Sequence, residues 1–132
     1  MLESLPKHLR ERTRSFDEKT ANKVDAGAGE TFVLYWMRTA FRTDENPALD
    51  VAWLLAKKQD LPLLVYHAIS EHYEYASDRH HTFMLQGARD VQAKFAELGG
   101  SYAFHLATGD DRNPHLMTLT NMARGNSCPQ LL

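Results

Sequence analysis

The alternation of strand and helix signals predicts an α/β fold, a Rossmann-like three-layer arrangement on a parallel sheet. Three observations carry the prediction. Residues 31–37, TFVLYWM, form an uncharged run of β-branched and aromatic side chains, the pattern of a strand buried on both faces. Asn46 and Pro47 then supply an N-cap oxygen and a first-turn proline, and Ala48, Val51, Ala52 and Leu55 follow at three- and four-residue spacing, so one helix face is apolar. The strand–loop–helix order recurs to give β-α-β-α-β-α, for which right-handed crossovers predict parallel strands in the spatial order 3-2-1, the first at one edge.

Taken in order, residues 1–30 read as a charged N-terminal arm. Leu5, Leu9 and residues 10–14 fit a short helix, and residues 25–30, DAGAGE, read as a hinge. Arg10, Arg12 and Arg14 offer contacts to phosphate. Glu11, Asp17 and Glu18 balance them and favour a solvated arm. Residues 31–125 form the α/β domain. Its second strand is expected over 61–68, with Pro62 at the start, where proline is tolerated. Residues 69–76 are expected as a loop. Ser77 then caps a helix whose apolar side carries Met84, Ala88, Val91, Phe95 and Leu98, and Gly99-Gly100 stops it. The third strand is expected over 101–106, with an exit loop at 108–111. Asn113-Pro114 repeats the earlier helix-start signal, and Leu116, Leu119, Met122 and Ala123 give that helix its apolar side. Residues 126–132, NSCPQLL, read as an irregular tail. Three strands are half of a doubly wound sheet, so the domain is expected to be incomplete, the product of a truncated or early-terminated reading frame.

Composition sets the class. The chain has 132 residues, 43% hydrophobic and 24% charged, an ordinary balance for one small domain. A formal net charge of -2 gives no global pull toward nucleic acid. One cysteine, Cys128, excludes an intrachain disulfide and fits a reduced, cytoplasmic protein. No apolar run approaches the ~20 residues that cross a bilayer, and the first residues lack the apolar core of a secretory signal. No membrane partner is expected.

Open α/β sheets bind ligands beyond the carboxyl ends of their strands. That rule places a candidate ligand site, suited to an anion, among Arg38, Phe41, Arg42, Asn46, His67, Ser70, Gly109 and Asp110. Arg38 and Arg42 suit bidentate clamping of an anion, or pairing with Asp44, Glu45 or Asp50. His67 and His105 are expected at strand ends, bonded to backbone. Met37-Arg-Thr-Ala-Phe-Arg42 stands where a dinucleotide-binding turn would carry GxGxxG. His80 and His81 are adjacent and diverge on a helix, so they make no metal pair, and no metal site is expected. Spacing alone supports no catalytic set.

Tyr35-Trp36-Met37 followed by Arg42-x-x-Glu45-Asn46-x-Ala48-Leu49 resembles the opening of the photolyase/cryptochrome family. With Arg79-His80-His81-Thr82-Phe83-Met84-Leu85-Gln86-Gly87, it is most similar to the class II cyclobutane-pyrimidine-dimer photolyases and their bacterial relatives. The resemblance implies the N-terminal α/β domain of a deoxyribodipyrimidine photo-lyase, a carbon–carbon lyase and DNA-repair flavoprotein. In that family the domain often holds an antenna, a folate or a deazaflavin. A following helical domain carries FAD and meets damaged DNA. Glu45 stands where the family has Asp. Without the helical domain this chain is expected to hold neither a flavin site nor catalytic residues. A cryptochrome-like light sensor and a stand-alone nucleotide-binding α/β module are the competing readings.

Overall fold

A computed structural model of the chain describes residues 2–14, 32–70 and 77–107. Within them the elements run α1 (Lys7–Arg10), β1 (Val33–Met37), α2 (Pro47–Gln59), β2 (Leu63–Ser70), α3 (Asp78–Glu97) and β3 (Ser101–Ala107), with a 3-10 turn at Leu2–Ser4 ahead of them. The strands form one parallel sheet in the order β1-β2-β3, as the alternation predicts, with β1 at an edge. Tyr35 lies opposite Val65, and His67 opposite Met37 on one side and Phe104 on the other. The helix expected over 113–125 and the tail over 126–132 lie outside the described residues.

Each helix begins where its cap residue stands. The Asn46 side chain accepts the Leu49 N–H at 3.2 Å, and Pro47 opens α2 at no hydrogen-bond cost. Ser77 caps α3 by accepting from the His80 N–H. At the far end of α2, Asp60 turns left-handed (φ 53°), and the Leu61 N–H reaches back to the Ala56 carbonyl at 3.0 Å. α3 closes the same way through Gly99 (φ 69°), and a Cβ on Gly100 would stand 3.0 Å from the Phe95 ring.

Both long helices cover one face of the sheet. Leu49 of α2 and Val91 and Phe95 of α3 join Met37 and Val65 in a buried cluster, with Tyr35, Phe41, Leu63 and Tyr102 packed around it. The other face carries a smaller cluster, Tyr66 and Ala103, flanked by Phe32, Leu34, Leu64 and Ala68. Side chains apolar on both sides of the strands produce this two-sided core, but β1 itself is not buried on both faces as expected from 31–37: at the sheet edge only Met37 is buried and Trp36 is exposed.

Two expectations are corrected. β2 begins and ends two residues later than 61–68, because Ile69 and Ser70 pair with Leu106 and Ala107 of β3. Partner strands, not local composition, fix where a strand ends. The arm is not simply solvated over residues 2–14. Leu5 and Leu9, four residues apart, are 5% and 4% exposed, and Lys58 of α2 donates to the Ser4 hydroxyl at 2.9 Å. One leucine before the short helix and one within it are thus buried, while the charged residues of the segment stay exposed.

Candidate functional site

The turn between β1 and α2 is built around one side chain. Asn46 is 1% exposed. Its Oδ1 caps α2, and its Nδ2 donates to the Arg42 carbonyl at 3.0 Å and the Ala40 carbonyl at 3.3 Å. The Tyr35 hydroxyl completes the network, 3.2 Å from Nδ2 and 3.3 Å from Oδ1. A buried amide with all these partners fixes the turn's path and the start of the helix together. Lys94 of α3 holds the turn from outside through Asp44 at 3.0 Å. That hydrogen bond and the lysine's charge keep Asp44 below the usual carboxylate range.

The arginines do not pair as expected. Arg42 Nη2 donates to the Glu45 carbonyl at 2.9 Å, not to a carboxylate, and the guanidinium of Arg38 lies 5.3 Å from the centroid of the Trp36 ring. Glu45 turns left-handed (φ 49°), which presents its carbonyl to Arg42. A long side chain tolerates that conformation less well than Asp, Asn or Gly. Glu45→Gly is therefore expected to raise stability by about 1 kcal/mol. The check is a urea midpoint that rises with unchanged slope; an unchanged midpoint would mean that the turn holds no such strain.

His67 lies inside β2, not at its end, because the strand runs on to Ser70. It is fully buried. Its ring stacks on Phe41 with centroids 4.1 Å apart and meets the rings of Phe104 and Tyr102 edge-on. Nδ1 shares a hydrogen bond with the Tyr102 hydroxyl, while Nε2 is buried without a partner. Burial pushes the imidazole down to about 4 and the Tyr102 phenol up. His67 is therefore neutral at neutral pH. His105 likewise falls within β3, its ring stacked toward Tyr66.

Of the eight predicted site residues, Arg38, Phe41, Arg42 and Asn46 share the β1–α2 turn, and Phe41 joins that turn to His67. Arg38 and Arg42 are exposed, Phe41 and Ser70 half-buried, and Asn46 and His67 enclosed. Gly109 and Asp110 lie outside the described residues. Sequence reasoning missed Tyr35, Tyr102 and Lys94. The two tyrosines alternate with apolar neighbours in strands and so read as core, and Lys94 lies 50 positions from its partner. Among the described residues no group of three or more His, Cys, Asp or Glu comes together, and no helix is long and apolar enough to cross a membrane.

A parallel sheet with a pinned, helix-capping turn at the carboxyl end of its first strand defines a domain of the open α/β class. Residues 33–124, more than half of the chain, match the DNA photolyase family model, and the chain belongs to that family. It is 33% identical over 69 residues to the deoxyribodipyrimidine photo-lyase of Methanothermobacter thermautotrophicus, a stretch covering 52% of this chain and 16% of that protein. It is 37% identical over 76 residues to the deoxyribodipyrimidine photo-lyase of Potorous tridactylus, covering 58% of this chain and 14% of that one. The matched stretch is thus a small part of the length of either relative.

Proposed function

We propose that this chain serves as the antenna-type α/β domain of a light-driven pyrimidine-dimer repair system, with dimer cleavage performed by a flavin domain beyond these residues. The observation that carries the reading is the family match over 33–124, which spans every strand of the sheet. FAD does not fit the described turn. A flavin dinucleotide needs close backbone approach to its pyrophosphate, usually at glycines. Here no glycine follows β1, and buried Asn46 fills the interior of the turn. A folate or deazaflavin antenna suits the edge better, since a planar anionic chromophore is matched by aromatic and guanidinium groups. Arg38, Phe41, Arg42 and Ser70 would hold it, backed by Asn46 and His67, with Gly109 and Asp110 completing the set. When bound, such a chromophore supplies light absorption. The chain's own part is to orient it and keep the turn rigid. Damaged DNA and the helical domain are the partners of the complete system.

The test is visible absorption of the purified chain, alone and after addition of a reduced folate or a deazaflavin, with an assay for light-dependent loss of thymine dimers from an oligonucleotide. Retention of an antenna-class chromophore, weakened in Arg38→Gln, with no dimer loss, is the expected result. A stoichiometric flavin spectrum or dimer repair by the chain alone would overturn the division of labour.

A further inference from the structure

We infer that the N-terminal arm, the β1–α2 turn and the start of α2 line an open cleft that binds a small phosphorylated molecule of mononucleotide size. The cavity between them measures about 510 Å³, within the range of small-molecule sites. Arg12 and Arg14 line it from the arm and Arg42 from the β1–α2 turn, so three arginines from two segments distant in sequence border one space. Among the described residues no carboxylate neutralises them. Glu11 turns to Lys7 at 3.9 Å, and Asp44 to Lys94 at 3.0 Å. Arg42 commits one nitrogen to the Glu45 carbonyl and keeps its remaining donors. Like charges brought together repel, and the arrangement is stabilised when an anion with several acceptor oxygens sits between them.

The positive end of α2 adds to this field. Pro47 has no N–H and that of Leu49 is taken by Asn46, which leaves the N–H of Ala48, itself a lining residue. The rest of the wall is mostly apolar, with Leu9, Ala40, Pro47 and Val51 beside the polar Thr13 and Asn46. An anionic head on a flat, weakly polar body, as in a nucleotide, matches both parts. Extended DNA would instead need a basic track, and a formal net charge of -2 supplies none. The site goes beyond the antenna reading and does not rest on it. Arg42 and Asn46 border both sites, whereas Arg38, Phe41, His67 and Ser70 do not line the cavity and Arg12 and Arg14 belong to it alone.

Calorimetric titration of the purified chain with adenosine monophosphate, inorganic phosphate and a short single-stranded oligonucleotide tests the inference. Adenosine monophosphate is expected to bind one-to-one and more tightly than phosphate alone. Replacing Arg12→Gln and Arg14→Gln together should weaken it about tenfold or more. Both side chains are exposed, so the fold should survive, as far-UV circular dichroism would verify. Arg12→Lys with Arg14→Lys should restore part of the affinity, because charge returns without the planar fork. Arg89→Gln, on α3, should change nothing. Equal binding by the glutamine variant, no binding by natively folded chain, or tighter binding of the oligonucleotide than of the nucleotide would each overturn the inference. Absorbance of an antenna plays no part in these readouts, so failure here leaves the antenna reading untouched.

Discussion

Taking the protein from neutral pH down to about pH 4 is expected to remove roughly 3 kcal/mol of folding free energy through His67 alone. The imidazole is neutral in its fully buried position, with its titration pushed down to about 4 from the usual 6.5 by burial. The unfolded chain takes up that proton below pH 6.5 and the folded chain does not. His67 therefore does not destabilise the fold above that value, and stability falls progressively as the pH drops through the window. Against a typical total of about 5–15 kcal/mol, the loss is large. Urea midpoints measured across the window check it. Replacing His67→Phe together with Tyr102→Phe removes the titrating group and its hydroxyl partner, and should flatten the acid limb. If both chains lose stability in parallel between pH 6.5 and 4, the proton uptake belongs to other groups.

Asn46→Ala is expected to cost about 3 kcal/mol. About 1 kcal/mol is the lost cap on α2. The remainder comes from the Ala40 and Arg42 carbonyls and the Tyr35 hydroxyl, which lose a buried partner at once. Asn46→Ser separates the contributions. Serine still accepts from the Leu49 N–H but cannot reach both carbonyls, so it should recover about the capping part only. Amide exchange over residues 38–46 should quicken in both variants. Full stability in the serine variant would show that the amide contributes as a cap and nothing more.

The two features behind these predictions were unequally legible in sequence. The capping role of Asn46 was readable, because Asn followed by Pro and an apolar helical period is a local signal with a local cause. Its clamp on the turn was not, since Tyr35 lies eleven positions away and is brought there only by the sheet. The order of the strands followed from alternation and the hand of crossovers. The end of β2 did not, because Ile69 and Ser70 become strand through β3. His67 looked like a strand-end residue for the same reason. The arm's charge was visible in sequence, but the burial of Leu5 and Leu9 comes only with the fold, where Ser4 also meets Lys58 of α2. The unusual backbone at Glu45 left no trace either, since glutamate carries no turn signal.

The bond between His67 and Tyr102 has a further consequence, for how the strands find their alignment. Hydrophobic pattern penalises a slip of one residue, which would turn every core side chain to the wrong face. It barely penalises a slip of two. On the helix-covered face, apart from His67, such a shift exchanges one apolar or aromatic side chain for another, among Leu63, Val65 and Ile69 of β2 and Tyr102, Phe104 and Leu106 of β3. The imidazole breaks this near-degeneracy. In the native alignment Tyr102 lies opposite Val65, one same-face position before His67, and its phenol meets Nδ1; slid by two residues in the direction that puts Phe104 opposite Val65, the imidazole would lose the phenol and leave both nitrogens unpaired. The buried histidine thus weighs against one of the two slipped alignments, and the acid sensitivity it brings accompanies that selectivity.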